Sequence, residues 1–338
     1  MEKTVFGRPK NVLLFGGGRV LRHLALRLGE KGIDVFVFSS KRLLEEEHDG
    51  MKLQQFLEKN RIGFESTRDI NSSEKAKALA KSSVGISFGA PWIFKKEFLE
   101  MFGNRILNSH SMDLPRNRGG GGFSWMILNS DRKSSSLLHI IDGGIDTGPI
   151  VKRADFVFPK NCKIPKDFEE VKFKADKKFF DEFVEELAAG KEFSLEKQDE
   201  DRSSYFPRLH SMTQGFIDWA WGKEEIERFI DAFDEPYCGA STWLNGERVF
   251  LKGCSGTNNN DTGHPFLAGI VYRKRNGKIF IGCRNGGIAI GKALNEKGES
   301  VFEKVRLGDR FFTPRESLEN AMLFRPIYGP DGLKEGKK

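Results

Sequence analysis

Within the stretch ILNSHSMDLPRNRGGGGFSW, Ile106 to Trp125, an amide and an imidazole stand two residues apart at Asn108 and His110. On an extended chain, residues at i and i+2 leave from the same face, so a strand here delivers both side chains to one place. A second polar cluster, LLHIIDGGIDTGPI, sets His139, Asp142 and Asp146 around the glycine pair Gly143-Gly144 and closes in Gly148-Pro149. Singly, each has an ordinary structural account: Asn108 and His110 as capping or core hydrogen bonders, Asp142 and Asp146 as turn formers. Together they supply an amide that donates, an imidazole that moves a proton and a carboxylate that orients it or raises its pKa. Those are the requirements of acyl transfer to an amine: oxyanion stabilisation, a proton shuttle and a group that tunes it.

Other residues stand near chemistry without being able to carry it. Gly16-Gly17-Gly18 follows an apolar run and opens a helical pattern, so its amides either face an anion at a helix N-terminus or simply make the turn. A dinucleotide fingerprint would need glycine at Leu21 and an acid where Ser39 and Ser40 close the next strand. Arg19 beside the loop either meets a substrate phosphate or is a surface charge. Trp92 and Trp125 are candidate walls of an acceptor pocket, or core. The four cysteines lie far apart with no C-x-x-C pair, which argues against a disulfide framework and a zinc site; no metal is expected.

The elements that must position these groups alternate. NVLLFGGG reads as a strand, RVLRHLALRLGEKG as an amphipathic helix and IDVFVFSS as a strand, a βαβ unit that implies a parallel sheet. Further strands are expected at IGFEST, VGISFG, NRILNSH, SSLLHIID and GPIVKRADFVF, and helices at DGMKLQQFLEKNR, SEKAKALAKS, GGFSWMILNS and FEEVKFKADKKFFDEFVEELAAG. The charged stretch EKQDEDRSS reads as a linker. Past Tyr205, short β-prone runs separated by N-G and G-G turns suggest a small barrel. The fold class is therefore α/β, an N-terminal doubly wound, mostly parallel, Rossmann-like sheet with a smaller C-terminal OB-like β-barrel. The expected domains are 1–197 and 198–330, with 331–338 a frayed tail.

With 338 residues, thirty Phe and only four Tyr, the chain has material for two cores built on phenylalanine. The net charge of +7 comes from 55 basic and 48 acidic residues interspersed along the sequence, which reads as a solvated surface more than a nucleic-acid face. No apolar run reaches the roughly 20 residues of a membrane helix, and MEKTVFGRPK lacks a signal-like apolar stretch; the expectation is a cytoplasmic protein that does not enter a membrane.

The order N-x-H, then L-P and R-G-G, then H-x-x-D-x-G-x-D-x-G-P-I resembles the folate-dependent formyltransferases. The run from SSYFPRLHSMTQGFIDWAW to PYCGASTWLNGERVFLKG is similar to the start of the C-terminal domain shared by their tRNA and sugar branches. The resemblance implies that Asn108, His110 and Asp146 are catalytic and that N10-formyltetrahydrofolate is the co-substrate. It also implies that the pterin lies against the loop Phe88, Gly89, Ala90 and Pro91 and the segment Asp142, Gly143, Gly144, Ile145 and Asp146, with His139 behind these loops as support. Gly17, Gly18, Arg19, Trp92 and Trp125 are the acceptor-side candidates. The four-glycine run after Arg118 departs from the tRNA enzymes, and FSSKRLLEEEHDG is short and acidic where that branch tends to be long and basic. Both point to a nucleotide-linked amino sugar as acceptor, with charged initiator tRNA as the alternative; a homodimer is compatible with the sequence.

Overall fold

The computed structural model describes residues 3–257 and 263–337. Its first sheet contains β1 (Asn11–Gly16), β2 (Asp34–Ser39), β3 (Gly63–Ser66), β4 (Ser83–Phe88), β5 (Ile106–His110), β6 (Lys133–Ile140) and β7 (Ile150–Val157) in the order β7-β6-β5-β4-β1-β2-β3. The five strands from β3 to β5 run parallel, and β6 and β7 are added antiparallel. The parallel strands read as nearly unbroken apolar runs because helices cover both faces: Val12, Leu13, Leu14 and Phe15 of β1 are all fully buried.

One cover is α1 (Arg19–Glu30) together with the long α2 (Pro165–Ala188), which buries Phe179, Phe180 and Phe183. On the other face Phe15 meets Phe38, Phe94, Phe98 and Phe102, ring against ring. The expectation that burial rests on phenylalanine holds on both faces. The helix expected over DGMKLQQFLEKNR begins only at Leu53, since Glu47–His48 and Met51–Lys52 pair as a short hairpin around Asp49 and Gly50.

The second sheet is antiparallel. Ala240–Leu244, Glu247–Thr257, Val271–Arg275, Lys278–Cys283, Gly286–Leu294 and Phe311–Phe312 form six strands, and the third and sixth of these are its edges. The edges meet: Val271 N–H donates to Asp309 O at 2.8 Å and Phe311 N–H to Gly269 O at 2.8 Å. The small barrel read from the sequence is thus present, its interior filled by Ile279, Ile281, Ile288 and Ile290.

Two expectations fail here. EKQDEDRSS is no free linker, because Gln198 is only 5% exposed and Glu196 exchanges two backbone hydrogen bonds with Ile150. Nor is the tail frayed: Gly332–Lys337 pairs antiparallel with Arg325–Gly329, and only Lys338 of it lies outside the described residues. Low hydrophobicity led both readings astray, since backbone hydrogen bonds and one glutamine hold these segments rather than apolar burial. Among the described residues no helix is long and apolar enough to cross a membrane.

Candidate active site

The site lies at the carboxyl ends of β4 and β5, where ligands collect in open α/β sheets. Register explains its composition. Asn108 on β5 stands opposite His139 on β6 and Ser87 on β4, so the two side chains share a face, and His110 follows two residues on. The loop from Ile141 to Pro149 then curls back over the strand ends, with Asp146 in a left-handed conformation at φ 54°.

Asp146 is the hub. Its Oδ1 lies 3.4 Å from Asn108 Nδ2 and 3.4 Å from His139 Nε2, while Oδ2 accepts the Gly119 N–H at 2.8 Å and faces His110 Nδ1 at 3.6 Å. Burial works to raise its pKa, but His139, the His110 ring and the Gly119 amide outweigh it and hold the carboxyl down at about 2. Burial pushes His110 below its ordinary value, against the pull of Asp146. His110 Nε2 is 2.7 Å from the Asn117 carbonyl, an acceptor only, so Nε2 carries the proton and Nδ1 presents its lone pair toward Asp146. By the same reasoning His139 Nδ1 donates to Ile140 O at 2.9 Å, and its Nε2 lies 3.2 Å from Asn108 Nδ2. His139 therefore touches both Asn108 and Asp146 directly rather than standing behind them.

A cavity of about 960 Å³ opens over this group. Of the residues singled out in the sequence, Asn108, His110, Asp146, Gly89, Ala90, Asp142, Gly143, Gly144, Ile145, Trp92 and Trp125 line it. Phe88 does not: its ring packs on Phe180, 5.3 Å between centroids. Pro91 is also outside the lining, as are Gly17, Gly18 and Arg19. The glycine loop has a structural reason instead. A Cβ on Gly16 would stand 2.1 Å from Phe88 O, and Gly17 N–H donates to that carbonyl at 3.2 Å, so β1 and β4 end in tight contact. Arg19 is spent on Glu170 and Asp49 and lies 3.9 Å over the Phe173 ring.

Three residues that sequence reasoning passed over complete the support. Gln198 Nε2 donates to the carbonyls of Asp146 at 2.8 Å and Gly148 at 2.7 Å, which fixes the loop that carries the carboxylate. Its Oε1 takes two bonds from Arg118, whose guanidinium also grips Glu200 at 2.8 and 2.7 Å. The four-glycine run lets the chain after Ser204 lie on top: a Cβ on Gly119 would be 2.3 Å from the Tyr205 ring, and one on Gly120 2.7 Å from Arg208 Cβ. The signal for Gln198 was a lone amide among acids, which no spacing rule connects to a loop 50 residues earlier.

Comparison with known proteins matches residues 10–175 to the formyl transferase family and residues 211–302 to the formyl transferase C-terminal domain. The chain is 28% identical over 251 residues to the methionyl-tRNA formyltransferase of Geobacter sulfurreducens, covering 74% of this chain and 73% of that protein. Among solved structures it is similar in fold to the N-formyltransferase from Helicobacter canadensis in complex with folinic acid and dTDP-3-aminofucose. There the TM-score is 0.63, with 19% identity and coverage of 84% of this chain and 99% of that one. WlaRD, a sugar 3N-formyl transferase crystallised with dTDP and 5-N-formyl-THF, gives a TM-score of 0.61, with 20% identity and coverage of 85% and 98%. With both of the family's domains present in order on one chain, the protein belongs to the formyl transferase family and is a formyltransferase.

Proposed function

We propose that the protein transfers the formyl group of N10-formyltetrahydrofolate to the primary amine of a nucleotide-linked amino sugar. The observation that carries this is one cavity lined at once by the reactive trio, the exposed Gly143-Gly144 turn, and Trp125, Tyr237 and Tyr328. A volume of about 960 Å³ is at the upper end of small-molecule sites and has room for a folate head group and a compact acceptor. The donor set also fits a flat, polar heterocycle, since Asp142 is fixed by Gly144 N–H at 3.0 Å and Thr147 Oγ1 at 2.6 Å, and the buried Trp92 indole N–H has no partner among the described residues.

The bound co-substrate supplies an activated formyl group. Asn108 offers an N–H to the oxygen that gains charge as the amine attacks; its 3.4 Å contact to Asp146 is the longer of its two and so the one released. His110 is neutral, with the Nδ1 lone pair free to take the amine proton. Once charged, the imidazolium lies 3.6 Å from the Asp146 carboxylate, which is ionised and stabilises it, and it returns the proton to the leaving N10 nitrogen as the bond between that nitrogen and the formyl carbon breaks. Asn108 and His110 thus act from two sides on one reacting centre.

The basic stretch VYRKRNGK gives limited support to the tRNA alternative, because Lys274 is already committed to the carbonyls of Phe302 and Val305 at 3.0 and 2.9 Å. The deciding experiment is turnover with N10-formyltetrahydrofolate against a panel of nucleotide-linked 3-amino and 4-amino sugars and charged initiator tRNA. A product with a sugar and none with tRNA is expected. The reverse would replace this acceptor with tRNA.

A further inference from the structure

The cavity lining carries charges of opposite sign. Asp142 and Asp146 flank the Gly143-Gly144 turn, whereas Arg208 is the one Lys or Arg among the described residues of the lining. Arg208 is exposed, and no described carboxylate lies within 4.0 Å of its guanidinium. That sets it apart from Arg19, Arg118 and Arg153, each of which is held by acidic side chains. An arginine at a cavity wall without a counter-ion keeps its fork of donors for a ligand.

The guanidinium is not loose, because its carbon sits 4.1 Å over the ring of Tyr328. Tyr328 comes from the C-terminal hairpin, whose root is tied to the Arg208 segment: Gln214 Nε2 donates to Phe324 O at 3.1 Å, and the His210 and Phe324 rings are 6.0 Å apart. Trp125 flanks the same wall and is anchored by Nε1 to Pro207 O at 2.8 Å. A stacked guanidinium with aromatic rings beside it suits a ligand carrying phosphate next to a flat base. Neither Arg208 nor Tyr328 falls within the stretches that match the family, 10–175 and 211–302.

We propose that Arg208, seated on Tyr328 and flanked by Trp125 and Tyr237, is the subsite for the acceptor's nucleoside diphosphate, and that the C-terminal hairpin thereby sets acceptor specificity. The phosphates meet the guanidinium and the base lies against the aromatic side chains. The amine then points down the cavity toward Asn108 and His110. The assignment rests on the acceptor reading above.

The test is calorimetric binding of dTDP, UDP, GDP, CDP and inorganic pyrophosphate to the full chain, with folinic acid as a control for an intact folate end. At least one nucleoside diphosphate is expected to bind the wild type, with pyrophosphate competing. Arg208→Gln should weaken that binding at least about tenfold, the loss of one charge-assisted contact, while folinic acid binds as before. Tyr328→Leu should weaken it too, and Tyr328→Phe, which keeps the ring, should not. Equal nucleotide affinity in wild type and Arg208→Gln, or no binding of any of the five probes to the wild type, overturns the subsite. Turnover separates this from the acceptor reading. If a nucleotide-linked amino sugar is formylated with the same KM by Arg208→Gln, the subsite falls and the acceptor stands. If pyrophosphate binding depends on Arg208 but no amino sugar is formylated, the anion subsite stands and the acceptor falls.

Discussion

At the scale of the residue, the chemistry depends on how three groups share protons. Asn108→Ala and His110→Ala should each lower kcat by about a hundredfold or more, the usual consequence of losing one donor or proton acceptor at a developing charge, with little change in folate affinity. Near wild-type turnover in either variant would remove that residue from the mechanism. The coupling between His110 and Asp146 has its own readout. Burial lowers the imidazole's pKa and Asp146 raises it, so Asp146→Asn, which removes the negative charge, should move the His110 titration followed by NMR to still lower pH. An upward shift would mean that Asp146 is not the charge that His110 feels. The trio was legible because N-x-H on a strand and D-x-G-x-D in a loop are local patterns. The protonation state of His110 was not, since it depends on the Asn117 carbonyl, 2.7 Å away in space but in a turn whose course no periodicity reveals.

At the scale of the element, apolar alternation located the seven strands of the first sheet, while segments held by polar contacts escaped notice. Gln198 and the C-terminal hairpin are the two clear instances. The helix Lys223–Ala232, by contrast, falls where GKEEIERFIDAFD reads as helical; it packs Ile226, Phe229 and Ile230 into the barrel and carries Asp231 to a site only 8% exposed. Burial, reinforced by Glu227, Asp234 and Asp167 and opposed by Lys163, pushes that carboxyl up to about 7. An acid whose folded pKa is raised costs nothing below its unfolded pKa and destabilises progressively as pH rises toward the folded value. The window here runs from about pH 4 to 7, with an upper limit of about 4 kcal/mol. Asp231→Asn should therefore raise the Tm at pH 8 and leave it little changed at pH 4. A lower Tm at pH 8 would mean that the ionised carboxylate is stabilised by its surroundings after all.

At the scale of the whole molecule, the two domains are joined through the site itself. The proposed division near Lys197 falls one residue before Gln198, which holds the Asp146 loop, and Arg208, Tyr237 and Tyr328 reach the cavity from beyond it. A cavity lined from both parts of the chain suits the compact acceptor proposed above. It also explains why net charge was a poor guide: +7 spread among 55 bases and 48 acids says little, whereas one unpaired arginine at a cavity wall says more. Salt dependence distinguishes the two kinds of acceptor. A nucleoside diphosphate meeting a single arginine should lose only modest affinity between about 50 and 200 mM salt, far from the 10³ to 10⁵ expected when six to ten phosphates are contacted. The measurement is KM for the acceptor across that range with folate saturating. A steep slope would place phosphate contacts outside the cavity, on the barrel's exposed basic residues such as Arg275 and Lys278, and would favour tRNA over the sugar.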